Sequence, residues 1–234
     1  MAIQETLTEF RNRTHAFIYL RLDPSRPLET RPGLEQKVDP AGWLLPYHGN
    51  TVVFDLPEPA KAALQDIQKL LYAECSPILS ERLEERTLHI TLHDLRSGPP
   101  SQELEHAMEA LRPEARRLVH DIRQERRTIR MVSTALFDMV NTSMVLGFEP
   151  EDEESCEVLM DYYARFQTLL PLPYQLTPHV TLAYFRPGIH GPHWSEALQN
   201  VVDLAATRPP IHLTLTGNDV EFQIFSSMNH YQPG

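Results

Sequence analysis

The sequence contains one pattern twice, and this internal repeat limits the folds open to the chain more than any other feature. NTVVFDLPEP, which begins at Asn50, is followed by a helical segment and then by HITL at residues 89–92. NTSMVLGFEP, which begins at Asn141, is followed by a second helical segment and then by HVTL at residues 179–182. The distance from asparagine to histidine is 39 residues in the first copy and 38 in the second. This agreement indicates two copies of one structural unit.

Hydrophobic spacing predicts the same order of elements in both copies. Apolar residues recur at helical spacing within residues 60–73, and residues 153–169 form the corresponding helical segment of the second copy. Helices near 101–122 and 193–206 follow the HxTL motifs, and they lead into the strand-like stretches RTIRMVSTALFDMV and PIHLTLTGNDVEFQIF. Each copy therefore consists of a strand, a helix, an HxT strand, a helix and a strand pair.

This mixture predicts an α+β fold in which two antiparallel sheets form related lobes around a central cleft. The 234 residues suffice for one large domain or two intimate lobes. We expect an N-terminal extension that covers the core at 1–46, the repeat domain at 47–225 and a C-terminal tail at 226–234. The lobes are predicted at 47–140 and 141–225, and an exchange of strands between them is left open.

The extension itself has two parts. THAFIYLRLD reads as an added strand, and PSRPLETRPGLEQKVDPAGW reads as an irregular covering segment because it is rich in turn residues.

The polar residues of the first HxTL strand lie on one face. Side chains alternate between the two faces of a strand, so His89, Thr91 and His93 project together. The same alternation groups His179 with Thr181 in the second copy. A solvated face and a phosphate-binding face would both accept such residues.

Two HxTL motifs about 90 residues apart, each ending a strand-helix-strand unit, resemble the two-histidine (2H) phosphoesterase superfamily. Its members include RNA-ligase-like cyclic phosphodiesterases. The fuller pattern of GNTVVFDL, HITL, FDMVNTSMVL and PHVTLAY is similar to a bacterial branch of unknown substrate. The resemblance covers roughly residues 47–225. It implies a bilobal fold with pseudo-twofold symmetry, a water-filled cleft where both HxT strands meet, and metal-independent chemistry.

The residue types fit the cleavage of a phosphodiester. The nucleophile must lose a proton and the departing oxygen must gain one, and imidazole, with an unperturbed pKa near 6.5, can do either. A threonine hydroxyl two residues further along the strand can donate a hydrogen bond to the charge that develops on the phosphate. We therefore predict His89 and His179 as base and acid, in either order, and Thr91 and Thr181 as phosphate-binding residues. The alternative is a pair of buried histidines that are hydrogen-bonded within their strands.

Three further residues are candidates for contact with the substrate. His93 shares the predicted face of His89, Phe185 has the parity to stack on a base, and Tyr47 precedes the first repeat strand at the cleft mouth. By the same parity Tyr184 belongs to the core.

A metal site is the alternative for the histidines. His89, His93 and His179 could together bind a divalent cation. No carboxylate occupies a matching repeat position. We therefore predict no metal ligand and no cofactor.

A third HxTL match begins at His212. It lies in the late strand of the second copy, where the first copy has Arg130. Because its position does not match the repeat, we predict a strand histidine outside the site.

The net charge limits the partners. With 21 basic and 32 acidic residues, the charge of −11 has the wrong sign for gripping duplex nucleic acid, and it leaves small anionic ligands open. Four basic residues form a local exception: Arg123, Arg126, Arg127 and Arg130. They form either a solvated helix end or a rim that steers anions.

The N-terminus, the apolar runs and the cysteines indicate the cellular compartment. The N-terminus lacks the apolar stretch of a secretory signal, and no run approaches the roughly 18 apolar residues of a membrane span. Cys75 and Cys156 are far apart in helical segments, which favours free buried thiols over a disulfide. We expect a cytoplasmic monomer that has no contact with membranes.

Two functions follow from these features. The first is a metal-independent phosphodiesterase that acts on a small nucleotide or a single-stranded RNA end, such as a 2′,3′-cyclic phosphate. The second is a non-catalytic module of the same fold that binds nucleotides or RNA ends. The presence of both histidines and both threonines favours catalysis, because a binding module does not need two opposed proton-transfer groups.

Overall fold

The computed structural model of the chain describes residues 5–234, so the first four residues of the predicted N-terminal extension lie outside it. The helices are α1 (Leu7–Ile18), α2 (Glu58–Cys75), α3 (Gln102–Arg123), α4 (Glu153–Leu169) and α5 (Pro192–Ala205). Over the described part of the chain, no helix combines the length and the apolar character needed to cross a bilayer.

The order of strand, helix, HxT strand and helix is found in both copies as predicted, but the first copy ends in one long strand where a strand pair was expected. They are β1 (Leu28–Glu29), β2 (His48–Asp55), β3 (His89–Gly98), β4 (Thr128–Met139), β5 (Ser143–Pro150), β6 (His179–Tyr184), β7 (Ile189–His190), β8 (His212–Thr216), β9 (Val220–Ser227) and β10 (His230–Pro233).

Two four-stranded antiparallel sheets form the framework. The first has the order β10-β9-β2-β3 and the second has the order β6-β5-β4-β8. Each sheet therefore carries the HxTL strand of one repeat copy, β3 or β6, at an edge. The predicted α+β, bilobal, antiparallel arrangement is confirmed.

The two copies exchange strands. The last long strand of the first copy, β4, pairs with β5 in the second sheet, and β9 of the second copy pairs with β2 in the first sheet. Each predicted lobe, 47–140 and 141–225, therefore contributes a strand to the sheet of the other.

Helices cover the sheets and build one continuous core. α2 buries Leu64, Ile67 and Leu71 on one side, which is the apolar stripe that its sequence spacing predicts. α3 packs on β2, β3 and β9, while α4 packs on β3, β4 and β5. The core cluster includes residues from both sheets, so the lobes share one apolar interior.

The first half of the stretch predicted as an N-terminal strand is helical, and its second half is irregular. Phe10, Thr14 and Ile18 are buried at intervals of four residues, which places them on one face of α1. Thr6 and Glu9 form a capping box that starts the helix. This helical spacing outweighs the short alternation in THAFIYLRLD, and the strand prediction is wrong.

The C-terminal segment is also different from the prediction. Residues 226–234, expected as a tail, contain the end of β9 and all of β10, which pairs antiparallel with β9. Asn229 holds the intervening turn because its side chain accepts from the Glu84 N–H at 2.9 Å and donates to the Arg82 carbonyl at 3.0 Å. The tail is therefore an edge strand of the first sheet.

Both cysteines are buried and free, as predicted. Cys75 ends α2 and Cys156 lies in the first turn of α4. Burial raises the pKa of the Cys75 thiol to about 12, which keeps it protonated at neutral pH.

Candidate active site

The two HxTL strands meet at one cavity. β3 and β6 pack against each other, and a cavity of about 630 Å³ opens beside them. His89, Thr91, His179 and Thr181 all line it. The volume lies in the range of pockets that hold small ligands.

A β-bulge follows the HxT triplet in both strands. Along β3, Thr91 pairs with Val53 and His93 pairs with Val52, so Leu92 is the extra residue. Along β6, Thr181 and Ala183 pair with consecutive β5 residues, and Leu182 is skipped. The alternation of faces holds up to the threonine and then shifts by one position.

The shift exchanges the predicted roles of two aromatic residues. Phe185 is fully buried and donates its backbone N–H to the Thr142 carbonyl, so the prediction that it stacks on a base is wrong. Tyr184, whose parity predicts a place in the core, lines the cavity instead. Its counterpart in the first copy is Asp94, which also lines the cavity.

His93 is displaced by the same bulge. Its side chain belongs to the cavity wall but is only 1% exposed, and its ring lies 5.4 Å from Tyr163 and 6.0 Å from Phe166 on α4. Neither ring nitrogen has a hydrogen-bond partner among the described residues. Burial lowers the pKa of His93 to about 4. The prediction that His93 shares a strand face with His89 and Thr91 is therefore wrong. The His93 ring packs against α4 instead.

Replacing His93 by leucine is expected to stabilise the protein. The change removes two unpaired buried nitrogens, each of which costs about 1–3 kcal/mol. The native pKa lies near 4 and the unfolded pKa near 6.5, so between these values only the unfolded state binds the proton and stability falls as pH falls. Urea unfolding should therefore show a larger gain for His93→Leu at pH 5 than at pH 8.

The matched control for this variant is His120→Leu, at an exposed position of α3. It should leave the free energy of unfolding within about 0.5 kcal/mol of wild type at both pH values. Unchanged or reduced stability of His93→Leu at both pH values would show that the ring is better accommodated than its contacts indicate.

The backbone two residues upstream orients each cavity imidazole. The His179 Nδ1–H donates to the Thr177 carbonyl at 2.7 Å, which leaves Nε2 as the nitrogen without a proton in the neutral ring. The backbone of Thr87 interacts with His89 in the same way. Both copies thus read Thr-x-His-x-Thr-Leu, a longer motif that sequence reasoning missed and that His212 does not share.

Burial favours the neutral form of both imidazoles. Burial lowers the pKa of His89 to about 4, with the Asp94 carboxylate acting to raise it and His179 acting to lower it further. Burial also lowers the pKa of His179, against the Thr177 carbonyl and Asp94, which act to raise it. Each ring can therefore accept a proton, and a bound anion would favour protonation of one of them.

The cavity also contains residues that the sequence pattern does not identify. Asp94 accepts a hydrogen bond from the Tyr174 hydroxyl at 2.8 Å. Tyr231 of β10 meets the His89 ring edge to face with centroids 5.0 Å apart, and Lys37 of the extension also lines the cavity. Asp94 was missed because of the bulge, whereas Tyr231 and Lys37 lie in segments that were read as tail and covering segment.

Tyr47 lies behind the cavity wall. Its ring stacks on Phe225 at 6.4 Å, its hydroxyl lies 3.3 Å from the Ser97 hydroxyl, and the Lys37 ammonium lies 4.9 Å from its ring centroid. It is absent from the residues that line the cavity. Tyr47 therefore contacts two cavity residues, Lys37 and Phe225, but does not itself line the cavity as its predicted role in substrate binding requires.

The third HxTL motif is remote, as predicted. His212 is exposed on β8, and its Nδ1 is hydrogen-bonded to the Glu151 carboxylate. It pairs across the ladder with Val132 and is absent from the cavity lining.

The basic cluster of residues 123–130 lies outside the cavity. Arg127 forms an ion pair with Asp161, and Arg130 forms one with Asp152. Neighbouring carboxylates thus neutralise two of the four basic side chains, and none of the four lines the cavity, which favours a solvated surface over an anion-steering rim.

The metal alternative requires His89 and His93 on one face, and the bulge separates them. Across residues 5–234, no group of three or more His, Cys, Asp and Glu side chains is arranged to hold a metal ion.

Comparison with known proteins adds information on the fold. No family model and no curated protein matches the chain. A protein of unknown function from Agrobacterium tumefaciens is 19% identical with a TM-score of 0.59, and the match covers 88% of this chain and 92% of that one. The chain therefore shares that protein's fold.

Two further solved structures are more distant. TT0787 of Thermus thermophilus is 19% identical with a TM-score of 0.49, covering 79% of this chain and 94% of that one. Escherichia coli LigT complexed with 3′-AMP is 19% identical with a TM-score of 0.44, covering 80% and 95%.

Proposed function

We propose that the chain is a 2H phosphodiesterase that cleaves a phosphodiester of a small nucleotide or a single-stranded RNA end, such as a 2′,3′-cyclic phosphate, without a metal ion. One observation carries the proposal: two Thr-x-His-x-Thr-Leu strands from related copies line the same cavity. Each strand brings one imidazole and one hydroxyl. A non-catalytic binding module would not need this duplicated set.

The reaction requires two proton transfers. One imidazole takes a proton from water as the water oxygen bonds to phosphorus. The bond between phosphorus and the 2′ or 3′ oxygen breaks, and the other imidazole, protonated beforehand, gives its proton to the departing oxygen. The product is a phosphate monoester, and exchange with solvent restores the two histidines.

The threonine hydroxyls serve the phosphate in this scheme. Thr91 and Thr181 each follow their histidine by two residues on the cavity side of the bulge. Their hydroxyls donate to the non-bridging oxygens, where negative charge increases in the transition state. Because the cavity is partly screened from water, such donors act more strongly than they would in solution.

Aromatic side chains beside the histidines suit a nucleobase. Phe225 and Tyr231 have centroids 5.1 Å apart, and both line the cavity together with Tyr184. Stacking of a base on such rings contributes about 1–3 kcal/mol and tolerates different bases. A nucleotide substrate would use this surface while its phosphate lies at the histidines.

The direct test is turnover of a panel of 2′,3′-cyclic nucleotides and RNA ends in the presence of EDTA. We expect release of the monoester, followed by chromatography. Tight binding without turnover across the panel would instead identify a binding module. Loss of turnover in EDTA, with recovery on adding a divalent cation, would overturn the metal-independent mechanism.

The pH dependence of kcat/KM gives a second expectation. This parameter reports the groups of the free enzyme, and burial lowers the pKa of both His89 and His179, so both limbs of a bell-shaped profile should lie below about 6.5. The Asp94 carboxylate raises both values, so Asp94→Asn should move both limbs to still lower pH.

The control for the pH experiment is Asp66→Asn, at an exposed carboxylate on α2 that pairs with Lys69. Its profile should coincide with that of the wild type. Limbs of the wild-type profile above 6.5, measured on a substrate with slow chemistry, would contradict the assignment of the two histidines.

A further inference from the structure

Lys37 places a cation on the cavity wall, and neither repeat supplies it. Its ammonium lies 4.9 Å from the ring centroid of Tyr47 and 5.7 Å from that of Tyr184. Lysine over the faces of two tyrosines is held by cation–π attraction while its head remains directed to the cavity. The extension therefore adds a charged group to a site that the two copies otherwise form.

The backbone around Lys37 is fixed by packing and hydrogen bonds. Leu34 and Val38 on either side are buried in the core. The Lys37 carbonyl accepts from the Leu45 N–H at 2.8 Å, and Val38 forms a β-bridge with Leu44. A side chain on such a support is preorganised, so little entropy is lost when it binds an anion.

A series of contacting aromatic rings runs from Lys37 to His89. Tyr47, which contacts Lys37, stacks on Phe225 at 6.4 Å. Phe225 lies 5.1 Å from Tyr231, and Tyr231 lies 5.0 Å from His89. A phosphate at the histidines and an anion at Lys37 would thus both border the aromatic rings of the cavity.

The charge of Lys37 is available to a ligand. Burial acts to lower its pKa, but Tyr184, Tyr47 and Asp94 outweigh burial and the net pKa is raised, so the ammonium stays protonated. It forms no ion pair among the described side chains, in contrast to Lys61 and Lys69. Arg31 of the same segment is exposed and also lines the cavity.

Resting on the proposed function, we propose that Lys37 forms a second anion subsite, and that the substrate carries a phosphate in addition to the scissile diester. The base or ribose would lie on the aromatic surface between the two anionic ends. A 5′-phosphorylated nucleoside 2′,3′-cyclic phosphate has this arrangement.

Equilibrium binding tests the subsite without any need for turnover. The probes are adenosine 3′-monophosphate and adenosine 3′,5′-bisphosphate, measured by calorimetry. Since a hydrogen bond to a charged group is worth about 1.5–3 kcal/mol, wild type should bind the bisphosphate at least about tenfold more tightly. Lys37→Met keeps the length of the side chain and should remove this preference while leaving affinity for the monophosphate unchanged.

Two controls make the result specific. Lys69→Met, at an exposed position of α2, should keep the wild-type preference, and Lys37→Arg should keep most of it. The preference of the wild type should also shrink as salt is raised, since it depends on charge.

Equal wild-type affinity for the two probes would overturn the subsite. An equal loss of both affinities in Lys37→Met would do the same. A preference for the bisphosphate that does not change with salt would also contradict it. Absence of turnover would count against the proposed phosphodiesterase alone, because these binding measurements do not depend on catalysis.

Discussion

His89→Ala and His179→Ala are each expected to lower kcat for a 2′,3′-cyclic nucleotide by about 10²–10⁴-fold, the usual contribution of a positioned acid or base. Each imidazole lines the cavity, and its partner cannot both remove and deliver a proton in the same step. The variants should still bind adenosine 3′-monophosphate, because the threonines and the aromatic wall remain. Steady-state kinetics together with calorimetry would measure both quantities.

His212→Ala is the matched control, since it removes a histidine from the same HxTL motif at an exposed position of β8. Its kcat should equal that of the wild type. The double variant of His89 and His179 should be little worse than either single variant, because the two residues act as a unit. Near wild-type turnover in either single variant would exclude a paired mechanism.

Thr91→Val and Thr181→Val should each reduce kcat by about 10²-fold, in line with the loss of a preorganised donor to a developing negative charge. Valine has nearly the same shape as threonine, so the change removes the hydroxyl and leaves the bulged strand intact. Because the hydrogen bond strengthens in the transition state, kcat should fall more than KM rises. Initial rates over a range of substrate concentrations separate the two parameters.

Thr214→Val provides the control for the threonines. Thr214 is the threonine of the third HxTL motif, exposed on β8 opposite Arg130. Its replacement should leave both kinetic parameters unchanged. A rise in KM without a fall in kcat for Thr91→Val and Thr181→Val would assign them to ground-state binding only.

The repeat, the order of elements and the convergence of four side chains could all be predicted from sequence. Helix spacing and strand alternation are local signals, and α4 occupies the predicted residues 153–169. The equal spacing of the two motifs carried the long-range information. Related copies pack in related ways, so His89 and His179 were expected at equivalent places, and both line the same cavity.

The bulges could not be predicted in the same way. A bulge is a property of the hydrogen-bond register between two strands, and neither HITLHD nor HVTLAY contains a glycine that would mark one. Simple alternation therefore placed His93 on the face of His89 and Phe185 in the cleft, and it left out Asp94 and Tyr184. All four errors have this single physical cause.

Residues supplied by distant segments were also missed. Lys37 and Tyr231 lie outside the repeat and have no counterparts in it, so the internal comparison gave no information about them. Their positions depend on tertiary packing of the extension and on the pairing of β10 with β9. The extension and β10 thus add residues to the part of the site that the two repeat copies form.

The reciprocal pairing of β4 with β5 and of β9 with β2 has a consequence for any attempt to divide the molecule. A chain cut between 140 and 141 would yield fragments whose β2 and β5 each lack a neighbour, and such bare edges promote aggregation. The fragments could regain order only by interlocking with each other. By the same reasoning, a polypeptide containing a single copy would have to lend its final strand to another molecule, as a domain-swapped dimer does.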